Sequence, residues 1–288
     1  MISFIGAGKV GSALGLYFKQ KGLEVGGYYS RTYEHAERAA KLTGTVAYSS
    51  IAELMSNSKM VWITASDDAL PVLAMEIAQL DIPPQQIKAF VHTSGVHSTM
   101  VLQPIKDAGF PIYCAHPLMA FGQPEESAVQ LNEAYFTLDS SLVEEDEKET
   151  LNNDDDYLTG LFEKTGNHTL LIDSQKKELY HCAASVLSNY LVTLLNLAYE
   201  MFAKSGMTKS EIKKATAPLL NSTLKNIAEN EHMSDALTGA IKRGDGSTVA
   251  KHLATLHLHM PDKQPLYKAL GRETMSMLRD DRLREMLD

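Results

Sequence analysis

Polar residues fall along one face of an otherwise apolar stretch in the second half of the chain. His181, Ser185 and Asn189 are spaced i, i+4, i+8, with Ser188 beside them, while Leu187, Leu191, Leu194 and Leu195 take the opposite positions. Such a stripe on a helix is costly to bury unless it is hydrogen-bonded or lines a wet cleft between domains. Histidine titrates near neutral pH, so it suits a reaction in which a carbonyl or imine exchanges a hydride with a nicotinamide and a proton must be donated or a developing charge held. His181 and His116 are the candidates for that role, with Ser94 and Asn189 as orienting hydrogen-bonders. Either histidine also fits a core or backbone-bracing role. His257 and His259 sit two apart on a helix and face different directions, and no cysteine or acid completes a ligand set, so no metal site is expected.

The partner for that chemistry is at the amino terminus. Ile2, Phe4 and Ile5 lead into Gly6-Ala7-Gly8-Lys9-Val10-Gly11, and a helical pattern runs from Ser12 to Lys21. A glycine triplet between a buried strand and a helix is the dinucleotide-binding arrangement. Gly6 makes the tight turn, Gly8 lets backbone approach a pyrophosphate, Gly11 lets helix pack on strand, and the helix start holds the phosphate. The second strand, Leu23–Tyr29, ends in Ser30-Arg31 where NAD-binding folds usually carry an acid for the ribose hydroxyls. A hydroxyl and a guanidinium instead can hold a 2'-phosphate by charge-assisted hydrogen bonds, so NADP(H) is expected over NAD; otherwise Arg31 is a solvated residue at a helix start.

The scaffold for these groups is an alternation of strands and helices. Glu34–Leu42 reads as a helix and Thr45–Tyr48 as a short strand; Met60–Thr64 is an unbroken apolar run of the kind a doubly covered parallel strand shows. It ends in Ala65-Ser66-Asp67-Asp68. Ligands of open parallel sheets lie beyond the carboxyl ends of strands, so Ala65, Ser66 and Asp67 are expected beside the nicotinamide half of the cofactor. Asp67 or Asp68 equally fits as a cap for the helix Ala69–Leu80. Ala89–His92 and Pro111–Cys114 are further strands, ending in the histidine-bearing loops Thr93–His97 and Ala115–Gly122; Ala134–Leu138 and Thr169–Ile172 complete the sheet. The acidic run from Glu144 to Asp156 reads as a solvated helix and turn. From Ser174 strands give way to helical periodicity: a long helix from about Gln175 to Lys204, a capped helix from Thr208 to about Glu231 that Pro218 should kink, and three more. The fold class is therefore α/β, a Rossmann-type doubly wound, mostly parallel sheet over residues 1–173, followed by an all-α domain over 174–288.

Composition limits the alternatives. The 288 residues are 44% hydrophobic and carry a net charge of −9 without a basic patch, which argues against nucleic acid and anionic membrane surfaces as partners. Cys114 and Cys182 are too few for a disulfide framework, and Met1 leads straight into a strand, so a cytoplasmic protein is expected. Val186–Ala203 is interrupted by Ser188, Asn189, Asn196 and Glu200 and reads as a buried helix, not a membrane span.

Four motifs carry a resemblance: HTSG (His92–Gly95), HPLMAFG (His116–Gly122), YHCAASVLSNYL (Tyr180–Leu191) and LTGAIKRGD (Leu237–Asp245). In combination they resemble an uncharacterised family of candidate NADP oxidoreductases within the superfamily of 6-phosphogluconate dehydrogenase-like enzymes, which includes pyrroline-5-carboxylate reductase, ketopantoate reductase and prephenate dehydrogenase. The resemblance spans nearly the whole chain. It implies an NADP(H)-dependent oxidoreductase acting on a small, anionic carbonyl or imine in an interdomain cleft, and a homodimer joined through the helical domain. Several superfamily members carry a catalytic lysine on the first long helix with an asparagine further along; His181 stands about where that lysine would be, with Asn189 nearby. That departure leaves a non-catalytic, cofactor-binding sensor as the alternative. The HPL motif is similar to the HPM motif of prephenate dehydrogenases, though the rest of that pattern is missing. Arg243 in the IKRGD loop either reaches a substrate carboxylate or lies on the surface.

Overall fold

The computed structural model describes residues 1–139 and 157–288. The acidic run from Glu144 to Asp156 lies outside them. Two compact units divide the chain, Met1–Leu191 and Val192–Asp288.

In the first unit, β1 (Ile2–Ile5), β4 (Met60–Ile63) and β5 (Ala89–His92) are buried on both faces, β4 as an unbroken apolar run and β1 and β5 with one buried polar residue each, Ser3 and His92. They form the centre of an eight-stranded sheet of order β3-β2-β1-β4-β5-β6-β7-β8, flanked by β2 (Val25–Tyr29) and β3 (Val46–Ala47) on one side. On the other side lie β6 (Ile112–Pro117), β7 (Phe136–Asp139) and β8 (Thr169–Ile172). All pairs are parallel except β6 with β7. Helices α1 (Lys9–Gln20), α2 (Tyr33–Thr43) and α6 (Pro124–Gln130) cover one face, with Phe4, Phe18, Tyr28 and Trp62 packed as a chain of aromatic contacts with centroids 5.2 to 6.2 Å apart. On the other face α3 (Ile51–Ser56), α4 (Leu70–Ala78) and α5 (Gln103–Asp107) close a second core around Ile63, Phe90 and Phe110. α7 (Tyr157–Thr165) precedes β8.

β6 runs three residues beyond its expected end at Cys114, so His116 is a strand residue and not a loop residue. The antiparallel partner β7 is the reason: it pairs His116 with Thr137 and Pro117 with Phe136, which holds the segment extended.

One helical run covers Ser174–Lys204, comprising a 3-10 turn, α8 (Lys177–Ser185), a π-helical turn (Val186–Tyr190) and α9 (Leu191–Lys204). Hydrophobic period changes at Ser174, but compactness divides 18 residues later, because α8 packs its first turns on the first unit's sheet edge. The run is not buried as expected. Within it only Lys177 and Leu197 are buried, while Leu179, Leu187, Tyr190 and Val192 are exposed. By length and composition it could cross a membrane.

The second unit contains most of α9, then α10 (Lys209–Glu229), α11 (Met233–Ala236), α12 (Gly239–Arg243), α13 (Gly246–His259), α14 (Gln264–Leu278) and α15 (Arg284–Leu287). Thr208 and Glu211 form the capping box that starts α10, and the helix continues through Pro218. Its buried clusters are small: Val249, Met275, Leu283 and Leu287 in one, Leu197, Leu256 and Met260 in the other.

Candidate functional site

The glycine turn has the geometry its spacing implies. Gly6 adopts φ +114°, and a Cβ there would come within 2.7 Å of the Thr64 carbonyl carbon, so no larger residue fits. A Cβ on Gly11 would strike the Gly6 carbonyl oxygen, which fixes the close approach of α1 to the strand end. Around Gly8, the N-cap of α1, nothing lies within 4 Å of where a Cβ would stand. That open backbone stands at the start of a twelve-residue helix, whose free amides could hold an anion.

A cavity of about 590 Å³ extends from this turn. Gly6, Ala7, Gly8, Ser30, Arg31, Ala65 and Ser66, all expected at the cofactor, line it together. Lys9, Val10, Gly11 and Asp67 do not. Lys9 and Val10 begin α1, and Gly11 supports the turn from beneath. Thr32 and His35, which spacing did not suggest, join Ser30 and Arg31 in the lining, a cluster of donors at the start of α2. Neither Asp67 nor Asp68 caps α4: its N-cap is Ala69, and no side chain accepts from its first amides. Asp68 faces the cavity, and the carboxylate of Asp67 acts electrostatically on His116.

Further along the same sheet edge, β5, β6 and α8 bring the histidines together. Lys177, Tyr180 and His181 are spaced i, i+3, i+4 and share one face of α8. The rings of His181 and His116 stand edge to face with centroids 6.3 Å apart. A Cβ on Gly95 would come within 2.6 Å of His181 and 2.9 Å of His116 Nε2, so the HTSG glycine makes room for both. His116 Nδ1 is 2.8 Å from the Tyr180 hydroxyl, and Thr137 Oγ1 donates to that hydroxyl at 3.1 Å.

Lys177 is deeply buried, with a relative exposure of 3%. Its Nζ donates to the Ser94 carbonyl at 3.2 Å and to Cys114 Sγ at 2.7 Å. Burial, followed by the Lys177 charge, pushes His116 down to about 4 and His92 down to about 3. Burial also pushes the Cys114 thiol up to about 11, against the opposing pull of Lys177. At neutral pH His92 and His116 are therefore uncharged.

Ser94 serves the site through its backbone. Its hydroxyl accepts from the amides of Val96 and His97 and braces the loop, while its carbonyl receives Lys177. A π turn, Val186–Tyr190, falls within the expected stripe. His181, Ala184, Ser185 and Ser188 form the half-buried face, whereas Asn189 is exposed. Lys177, Tyr180, Thr137 and Cys114 do not stand out in the sequence. The spacing of Lys177 and Tyr180 to His181 is the signal that could have found two of them.

Comparison with known proteins agrees with this layout. Residues 1–117 match the Rossmann-like domain, and residues 148–274 match a domain of unknown function, DUF2520. The chain carries a Rossmann-like domain followed by a DUF2520 domain. The DUF2520 match takes in β8 and all of α8, so the turns bearing Lys177, Tyr180 and His181 belong to it. No curated protein matches the chain. Among solved structures it is similar to a candidate NADP oxidoreductase from Bacteroides fragilis, at 23% identity and TM-score 0.74 over 95% of this chain and 96% of that one. A protein from Thermotoga maritima aligns at 20% identity and TM-score 0.66, covering 96% of this chain and 98% of the other. Plasmodium falciparum pyrroline carboxylate reductase with NADP bound aligns at 14% identity and TM-score 0.60, covering 96% and 97%. These likenesses are of fold.

Proposed function

We propose that the protein is an NADP(H)-dependent oxidoreductase that transfers a hydride between the nicotinamide and a small carbonyl or imine substrate at the carboxyl edge of the sheet. The observation that carries the reading is the single cavity lined by the glycine turn and by Ser30, Arg31, Thr32 and His35, with no acid at the Ser30-Arg31 position. An Asp or Glu there would repel a 2'-phosphate; a guanidinium, two hydroxyls and an imidazole attract one. The NADP-bound reductase of the same fold supports the cofactor assignment by analogy. When bound, the reduced nicotinamide supplies the hydride. The backbone at Gly8 and the start of α1 hold the pyrophosphate, Arg31 and Ser30 select the phosphate, and Ala65, Ser66 and Asp67 border the nicotinamide half. His181 and His116 face the substrate and steady the atom that gains electron density, while Ser94 shapes their loop.

The alternative, a cofactor-binding sensor without catalysis, rests on the histidine that stands in place of a lysine on this helix. Lys177, one turn before His181 and pointing at the Ser94 carbonyl, weakens that ground. We further propose a cytoplasmic homodimer joined through its helical domain, with no nucleic-acid or membrane partner. The helix long enough to span a bilayer is tied to the sheet edge through Lys177 and Tyr180, which argues against insertion.

The test is NADPH oxidation, followed optically, with a panel of keto acids and cyclic imines. Turnover is expected with NADPH in preference to NADH. Arg31→Ala should weaken NADPH binding at least tenfold, and His181→Ala should abolish turnover with NADPH affinity intact. Tight binding without turnover across the panel would favour the sensor; tighter NADH binding would sink the cofactor assignment.

A further inference from the structure

Tyr180 has no role in the proposed hydride transfer, yet it makes the most specific polar contact of the cluster. Its ring stands edge to face with His116 at 5.6 Å between centroids, and its hydroxyl is 2.8 Å from His116 Nδ1. Thr137 Oγ1 lies 3.1 Å from that hydroxyl and 3.3 Å from the His116 carbonyl oxygen, with one proton to give. His116 and Thr137 are directly opposite in the antiparallel pair, and two residues along Leu118 donates its amide to the Tyr135 carbonyl. The two-residue alternation of an antiparallel ladder makes His116 and Thr137 a hydrogen-bonded pair as well, so the His116 carbonyl already accepts the Thr137 amide. The Tyr180 oxygen is both the nearer acceptor and the one without a backbone donor, and the Thr137 hydroxyl gives its proton there. Were Nδ1 protonated, the Tyr180 oxygen would accept twice and its own proton would have no acceptor among the described residues; with Nδ1 as acceptor both protons are placed, and a neutral ring whose Nδ1 accepts carries its proton on Nε2. Nε2 is the nitrogen beside Gly95, where any side chain would intrude to within 2.9 Å.

We propose that Tyr180 is a positioning residue that locks neutral His116 in the Nε2–H tautomer, making it an uncharged hydrogen-bond donor toward the substrate oxygen or nitrogen. The assignment of a substrate rests on the reductase reading; the tautomer does not. Burial beside Lys177 keeps the ring neutral at pH 7, so it acts by holding negative charge as it develops and not as a cationic acid. The hydroxyl of Tyr180 touches the ring and acts through it.

The experiment uses the whole chain labelled with 15N-histidine. A long-range proton–nitrogen correlation spectrum at pH 7 reads the tautomer of His116, assigned by the signals lost in His116→Gln. The Nε2–H form is expected, and an Nδ1–H form in the unsubstituted protein overturns the proposal whatever the substrate. Tyr180→Phe keeps the ring and removes the donor. It should give a mixture of tautomers and lower kcat at least tenfold with NADPH affinity unchanged. A folded Tyr180→Phe protein with an unaltered tautomer, or with unaltered kcat, overturns the proposal. If no keto acid or cyclic imine of the panel makes the unsubstituted protein oxidise NADPH while His116 holds Nε2–H, the reductase reading fails and the positioning role stands.

Discussion

Lys177 is the residue whose charge most shapes the site. A buried ammonium costs several kcal/mol of desolvation, and here a carbonyl and a thiol receive it. Its field adds to burial in holding His116 and His92 below their ordinary range. Both groups have folded values depressed to about 4 and about 3, below the roughly 6.5 of an unfolded chain. Unfolding in that window takes up protons, so these two histidines make stability fall as pH drops from about 6.5 toward 3. Replacing the charge isolates its share. In Lys177→Met, of similar length, the His116 titration midpoint read by NMR should move upward from about 4, because one opposing charge is gone while burial and His181 remain. A midpoint that stays in place would mean that burial and His181 depress the ring without help from Lys177. None of this is readable from composition or spacing alone. His181 and His116 stand out by residue type, whereas Lys177 looks like any lysine at a helix start until the helix face is known.

At the scale of elements, the glycine turn and the histidine helix differ in how much their sequence reveals. The turn is local: its three glycines, the strand before and the helix after lie within twenty residues, and each glycine has the spatial role its spacing implies. β1, β4 and β5 are legible for the same reason, as short, mostly apolar runs buried on both faces. The histidine cluster depends on pairing between distant segments. β6 extends through His116 only because β7 lies antiparallel beside it, and Ser188, not Asn189, shares the half-buried face with His181, which spacing alone does not decide. The turn yields a clean prediction. Gly8 has free space and extended backbone that alanine tolerates, so Gly8→Ala should leave the melting temperature of the free protein within about a degree while weakening NADPH binding at least tenfold. Gly11→Ala has no such space: its methyl meets the Gly6 carbonyl and the Thr64 hydroxyl, and overpacking there should cost about 1–3 kcal/mol in chemical denaturation as well as affinity. Undiminished binding by Gly8→Ala would remove the pyrophosphate from this backbone.

For the molecule as a whole, the distribution of apolar surface is the informative feature. The first unit has two extensive buried clusters on the faces of its sheet. The second has two small ones, and Val192, Leu219, Leu224, Leu258 and Leu266 stay exposed, Leu258 at 74%. Single exposed leucines are ordinary, but this number on helices whose own cores are so small leaves apolar area that a partner surface would cover. A second copy of the chain is the occupant the superfamily resemblance implies. A stable homodimer needs about 800 Å² from each partner, an area that several helices of this size can supply. Light scattering of the purified chain at micromolar concentration should therefore give the mass of two chains, and a Leu224→Glu, Leu258→Glu double variant should shift that mass toward one. Because both side chains are exposed in the single chain, the variant should keep its helical circular dichroism. A single-chain mass for the unsubstituted protein across the accessible concentration range would remove the homodimer and leave those leucines without the partner proposed for them.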